Sequence, residues 1–264
     1  MVALRAQLAL TLALGATVLA CEPKLVVGEK QCPPLGDAMA ILSTDPITYP
    51  WNAGFETDFC EFTQAGGYCT NDARASELIV SSPVHGGRFA ASFTVDNTDG
   101  AGYQSRCVRR GVLPVAAYYG AWFYLPKLVD NPGKWNLFHF EGGDPADQKN
   151  AHELWDASLH YGSNGELQAF VFQFLSKPQV TWTPTNPPAV PIATWFHLQM
   201  YLERAADATG TVRLYQDGAL LVEIKDVITD DTEWGEWYVG NFSKTLMAPE
   251  STLYVDDVSI RDTL

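Results

Sequence analysis

From Trp51 onward the chain is cut into short apolar runs separated by clusters of Gly, Pro, Asn and Asp. Residues 77–82, 88–95, 118–125, 135–141 and 154–161 are rich in aromatic and β-branched side chains, as are 167–174, 195–203, 211–216, 236–242 and 252–261. Such runs predict strands, because branched and aromatic side chains suit a pleated, half-buried surface. Asp217-Gly218, between 212–216 and 219–223, is the dipeptide of a two-residue hairpin turn. No sustained helical period and no internal repeat interrupts the pattern. Many antiparallel strands without helices predict an all-β protein, a two-sheet antiparallel jelly roll (β-sandwich) spanning 51–264.

Period-two alternation assigns faces. Phe196, Leu198, Met200 and Leu202 share one face, the core face, and His197 takes the other. In 135–141, His139 and Glu141 are expected to share a face with Trp135 and Leu137, while Phe138 and Phe140 take the opposite one. A polar pair on a central strand is costly to bury alone and predicts an open cleft. Asp156, Ser158 and His160 form a further polar face. In 253–261 the alternation puts Asp256 with Tyr254, Val258 and Ile260.

Composition narrows the function. The 264 residues are 47% hydrophobic and 18% charged, which excludes a disordered chain. A net charge of −14 excludes nucleic acid as a partner, since phosphate binding needs a basic footprint. Residues 1–20 carry one charge, Arg5, before an apolar core and small residues, the pattern of a secretory signal. Val18-Leu19-Ala20-Cys21 resembles the bacterial lipobox, which implies a lipid anchor on Cys21 and a place in the cell envelope, on the outer membrane or cell surface. Residues 21–50, with Pro23, Pro33, Pro34, Pro46 and Pro50, read as a tether. Cys32, Cys60, Cys69 and Cys107 remain, an even number in an oxidising compartment, and predict two disulfides of open connectivity.

Trp195-Phe-His-Leu, Thr209-Gly-Thr-Val-Arg-Leu-Tyr-Gln-Asp-Gly, Tyr238-Val-Gly-Asn-Phe and Thr252-Leu-Tyr-Val-Asp-Asp-Val-Ser-Ile resemble the concanavalin A-like jelly rolls. Within them, 118–127 and 135–140 resemble the central strands of polysaccharide lyases of the heparin-, glucuronan- and alginate-lyase type. The resemblance covers about residues 51–262. It implies β-elimination on a uronate-containing chain: one group neutralises the C5 carboxylate and a Tyr or His base removes the adjacent proton. Carried over by position, Arg106 or Arg109 is the carboxylate partner and His139 stands at the His of Gln-x-His, with Leu137 at the Gln position. Gly240-Asn241-Phe242 matches Gly-Asn-Tyr except for the hydroxyl, and Tyr238 is the substitute phenol.

A hydrolase on this fold needs closely spaced acids, and Glu153 and Asp156 fall on opposite faces, which disfavours glycoside hydrolysis. Glu56 and Asp256 resemble the first- and last-strand pair that holds a structural calcium in many jelly-roll carbohydrate-binding domains; hydrogen bonding of Asp256 to neighbouring amides is the equal alternative. Trp155, Trp182, Trp237 and Tyr161, with Glu141 and Asn241, are candidate glycan-binding residues, since sugar rings stack on aromatic faces. Three functions stand after this reading: a lyase, a non-catalytic carbohydrate-binding module on a surface lipoprotein, or a purely structural surface lipoprotein.

Overall fold

The computed structural model describes Cys32 and residues 46–129, 135–144, 151–175, 178–243 and 250–264. Residues 1–20, read as a secretory signal, and Cys21 lie outside the described residues. In chain order the strands are β1 (Trp51–Ala53), β2 (Glu56–Phe59), β3 (Tyr68–Asn71), β4 (Ala75–Val80), β5 (Ala90–Val95) and β6 (Tyr103–Val112). Then come β7 (Ala116–Tyr124), β8 (Trp135–Gly143), β9 (His152–Tyr161), β10 (Leu167–Gln173) and β11 (Val180–Trp182). The chain ends with β12 (Trp195–Glu203), β13 (Gly210–Gln216), β14 (Ala219–Val227), β15 (Trp234–Ser243) and β16 (Ser251–Arg261). One short helix, α1 (Cys60–Thr63), follows β2.

Two antiparallel sheets form an open sandwich. The eight-stranded sheet runs β14-β13-β12-β7-β16-β5-β4, with β1 also paired to β16. The seven-stranded sheet runs β11-β10-β9-β8-β15-β6-β3. Sequence neighbours that leave one sheet for the other, such as β5 and β6 or β15 and β16, give the jelly-roll crossing. Phe123, Phe138, Phe140, Phe196, Leu198, Met200, Leu202 and Trp237 close the space between the sheets, each with no exposed surface. Burial of each such side chain stabilises the fold by about 1.5–3 kcal/mol. Asp217 and Gly218 both have positive φ, 51° and 80°, which is the backbone that the Asp-Gly turn between β13 and β14 requires.

Three β-bulges break the alternation that the sequence implies. In β9, where the register to β8 shifts between Phe140 and Glu141, Leu154 and Trp155 both enter the core. This corrects the expectation for Glu153 and Asp156, which share the outer face. In β8 the register to β9 shifts between Asn136 and Phe138. Trp135 and Leu137 therefore join Phe138 and Phe140 in the intersheet core, and His139 and Glu141 face away from all four. In β16 the register to β7 shifts between Asp256 and Ser259, where Asp257 has φ 45°. Leu253 and Val255 before the shift, and Val258 and Ile260 after it, all enter the core. Asp256 stays on the opposite side with Tyr254, as expected, but Val258 and Ile260 are parted from them, contrary to strict alternation. An inserted residue reverses every face beyond it.

Disulfides join Cys32 to Cys60 and Cys69 to Cys107, the latter pair directly opposed between β3 and β6. The folded unit begins before Trp51. Ile47 is buried, its N–H donates to Val112 O at 2.9 Å, and Cys32 is cross-linked to α1. The proline-rich segment read as a tether thus contributes its last residues to the domain.

Candidate functional site

The outer face of the seven-stranded sheet carries one row of register partners: Tyr68 (β3), Val108 (β6), Tyr238 (β15), His139 (β8), Asp156 (β9) and Phe172 (β10). One residue pair along lies a second row, Arg110, Glu236, Glu141 and Glu153. Arg106 sits on the other side of the first row, opposite Gly240. A Cβ on Gly240 would come within 2.3 Å of Ser105 O and 2.7 Å of Arg106 Cα, so only glycine lets β15 pass Arg106 this closely.

His139 is the centre of this face. Its Nδ1 is hydrogen-bonded to Asp156 Oδ1, and its Nε2 lies 3.2 Å from Glu141 Oε1. The same Glu141 oxygen lies 3.8 Å from Arg106 Nη1. Tyr238 is sandwiched: its ring stacks on His139 at 4.8 Å, and the Arg106 guanidinium lies 4.7 Å from its centroid. Burial opposes charge on His139, but Asp156 and Glu141 outweigh it and raise the imidazole to about 9. With both ring nitrogens facing carboxylates, His139 is an imidazolium at neutral pH and a donor on both sides.

The neighbouring acids are driven apart. Burial raises Glu141, yet hydrogen bonding and charge from His139, with Arg106, bring its carboxyl below the usual value. Burial and the Glu141 charge push Glu236 up, and Tyr68 Oη donates to Glu236 Oε2 at 3.3 Å. Burial holds the Tyr238 phenol well above its ordinary value, with Asp156 adding to the shift. Asn136 Oδ1 and Ser158 Oγ are among the buried polar atoms on this face without a protein partner, as is Arg106 Nε, although Asn136 and Ser158 oppose each other in the register.

With the face described, its likeness to solved structures can be stated. The sandwich has the fold of glucuronan and alginate lyases. The endo-β-1,4-glucuronan lyase of the fungus Trichoderma reesei superposes with a TM-score of 0.61 at 18% identity, over 74% of this chain and 90% of its own. An alginate lyase superposes at 0.53 and 13% identity, over 80% of this chain and 96% of its own. A protein described as cellulose induced gives 0.53 and 13%, over 80% and 97%. No family model and no curated protein matches the chain. At such identities the likeness is one of fold, and function rests on the site.

Among the residues expected from the resemblance, the fold brings Arg106, His139, Glu141 and Tyr238 together. Arg109 is corrected. It alternates with Arg110 onto the inner face, is 1% exposed, and lies 4.7 Å from the Trp51 ring, where burial lowers its guanidinium to about 10. Trp155, Trp237 and Asn241 are likewise core residues and not sugar platforms. Trp155 donates to Thr229 O at 2.8 Å, and Trp237 packs on Tyr119, Phe138 and Phe140. Asn241 accepts from Trp135 Nε1 at 2.8 Å and donates to Phe93 O and Ser251 O, tying the sheets together. Trp182 is half-buried against the core from edge strand β11. Tyr161 lines a depression of about 490 Å³ with His160, Asn164, Gln168 and Asn186, at the far end of β9 from Asp156. Asp156, Glu236, Asn136 and Ser158 were not expected from the resemblance; only the polar face of Asp156, Ser158 and His160 signals one side of the site.

Glu56 and Asp256, the residues of the expected calcium pair, both accept backbone amides. Asp256 Oδ2 accepts the His85 and Gly86 amides at 2.8 and 3.1 Å, and its Oδ1 accepts that of Asp257 at 2.8 Å. Glu56 Oε1 accepts the Arg88 and Phe89 amides at 2.6 and 3.1 Å. The two carboxylates hold the two ends of one turn. Among the described residues no three His, Cys, Asp or Glu converge as a metal cluster. The amide bonds only partly offset the burial of Asp256, whose carboxyl is pushed up to about 6.

Proposed function

We propose that this protein is a polysaccharide lyase acting by β-elimination on a uronate-containing glycan. The observation that carries the reading is the convergence of Arg106, His139 and Tyr238 on one sheet face. Arg106 and the His139 imidazolium are the two cations that would neutralise the C5 carboxylate, making the adjacent proton acidic. His139, already protonated, then acts as a donor and not as the base. Tyr238 is assigned that part as its phenolate, which the Arg106 guanidinium against the ring favours and burial opposes: the oxygen takes the C5 proton, the C4–O bond breaks as the C4–C5 double bond forms, and the proton passes to the leaving oxygen, which restores the phenolate. The Tyr161 depression lies along the same face and would take neighbouring rings.

The test is absorbance near 235 nm during incubation with glucuronan, alginate, heparin and pectate, with and without calcium. The wild type should raise it, and His139→Ala and Tyr238→Phe should each slow the rise by at least about a hundredfold while remaining folded. Absence of any rise, together with retention on a glycan column, would assign the face to non-catalytic carbohydrate binding. Leu137 at the Gln position, Phe242 in place of the Tyr of Gly-Asn-Tyr and the acidic net charge favour that reading. The two disulfides support an exported protein. An envelope location with a lipid on Cys21 completes the proposal; an intact mass of the membrane-extracted protein lacking 1–20 and carrying acyl chains is expected, and an unmodified Cys21 would refute it.

A further inference from the structure

Between His139 and Arg106 there is one position where an anion meets both cations, and a side chain of the protein fills it. Glu141 Oε1 lies 3.2 Å from His139 Nε2 and 3.8 Å from Arg106 Nη1. Asp156 engages only the far nitrogen of the ring, so it does not compete for this place. The Glu141 side chain is 20% exposed against 4% for His139, and it lies over a buried cation from the accessible side. Glu236 opposite, with Arg110 beyond it, and Glu153 on β9 are its register neighbours, and none of them bridges the two cations.

We propose that Glu141 is a specificity-determining residue: an internal stand-in for the uronate carboxylate, which an acidic sugar must displace to reach His139 and Arg106. The inference rests on the lyase reading for the identity of the ligand, but it concerns binding and is tested by binding. With Glu141 in place the cation pair is already neutralised, so an incoming carboxylate exchanges one ion pair for another and gains little. Without the Glu141 charge the same cations are buried and unbalanced, and a substrate carboxylate then restores their partner. Restoring a hydrogen bond between charged groups is worth at least about tenfold in affinity.

The experiment is calorimetric titration of the full chain with a glucuronan tetrasaccharide, an alginate tetrasaccharide and neutral cellotetraose. Glu141→Gln preserves the shape and removes the charge; Glu141→Ser removes the side chain as well. Both variants should bind at least one acidic tetrasaccharide at least tenfold more tightly than the wild type, with cellotetraose changed less than twofold. Unchanged or weaker acidic binding by both folded variants overturns the proposal, as does an equal gain for the neutral sugar. The lyase reading fails separately: tighter acidic binding with no absorbance at 235 nm in any variant retains the stand-in and removes the elimination. Absorbance in the wild type with acidic affinity unaltered in both variants does the reverse.

Discussion

Arg204→Ala should lower the unfolding free energy by about 3–5 kcal/mol, enough to leave a domain of ordinary stability marginal. Arg204 is 9% exposed at its side chain and Asp230 only 2%, and they meet at 2.6 Å. The guanidinium also donates to Leu113 O at 2.6 Å and Glu233 O at 2.8 Å and to Thr232 O, so one side chain joins the ends of β6, β12 and β15. Its removal strands a buried carboxylate and three carbonyls. The carboxylate is the larger part of the cost. Arg204→Met combined with Asp230→Asn should therefore be more stable than Arg204→Ala alone, because it removes the uncompensated charge. Urea denaturation of the two variants checks both statements, and a loss under 1 kcal/mol for Arg204→Ala would show that solvent reaches Asp230 freely.

The second large effect is a fall in stability with rising pH. His139 is raised from the ordinary histidine value to about 9 in the folded protein. Its contribution is complete below the unfolded value of about 6.5, declines as pH rises, and is lost once pH passes about 9. The shift corresponds to about 3 kcal/mol at 1.36 kcal/mol per unit. His160 and His197 are lowered by burial and discharge below this window, so they do not obscure it. Denaturation midpoints should fall steadily between pH 6.5 and 9 in the wild type and stay flat in His139→Gln. Asp156→Asn should move the decline to lower pH, since its carboxylate is the nearest charge favouring the imidazolium. A flat wild-type profile over that interval would mean that His139 is neutral, and the assignment of His139 as donor would fall with it.

Much of the framework was legible along the chain. Alternation in 195–203 assigned Phe196, Leu198, Met200 and Leu202 to the core, and all four are fully buried. The Asp217-Gly218 turn formed where its dipeptide requires it. His139 and Glu141 were legible as a polar pair out of place on an apolar strand. Arg106 was not separable from Arg109 by motif alone, although one lies on the site face and the other between the sheets. Tryptophan was least legible. Trp155 and Trp237 carry the same side chain a sugar platform would use, and the apolar ring is equally suited to the core.

The sequence by itself determined the all-β architecture, the hairpin, the core of the strands that alternate without interruption and an even set of four cysteines beyond Cys21. These follow from local rules, because side-chain direction has period two and turn chemistry depends on adjacent residues. Tertiary structure alone decided the bulges at Leu137, Leu154 and Asp257, the disulfide partners, and the register that sets Tyr238 beside His139 and Glu236 beside Glu141. Pairing between distant strands is chosen by the packing of both sheets together, and one inserted residue exchanges inside for outside without altering the local pattern. The site is built from such pairings, with contributions from β6, β8, β9 and β15.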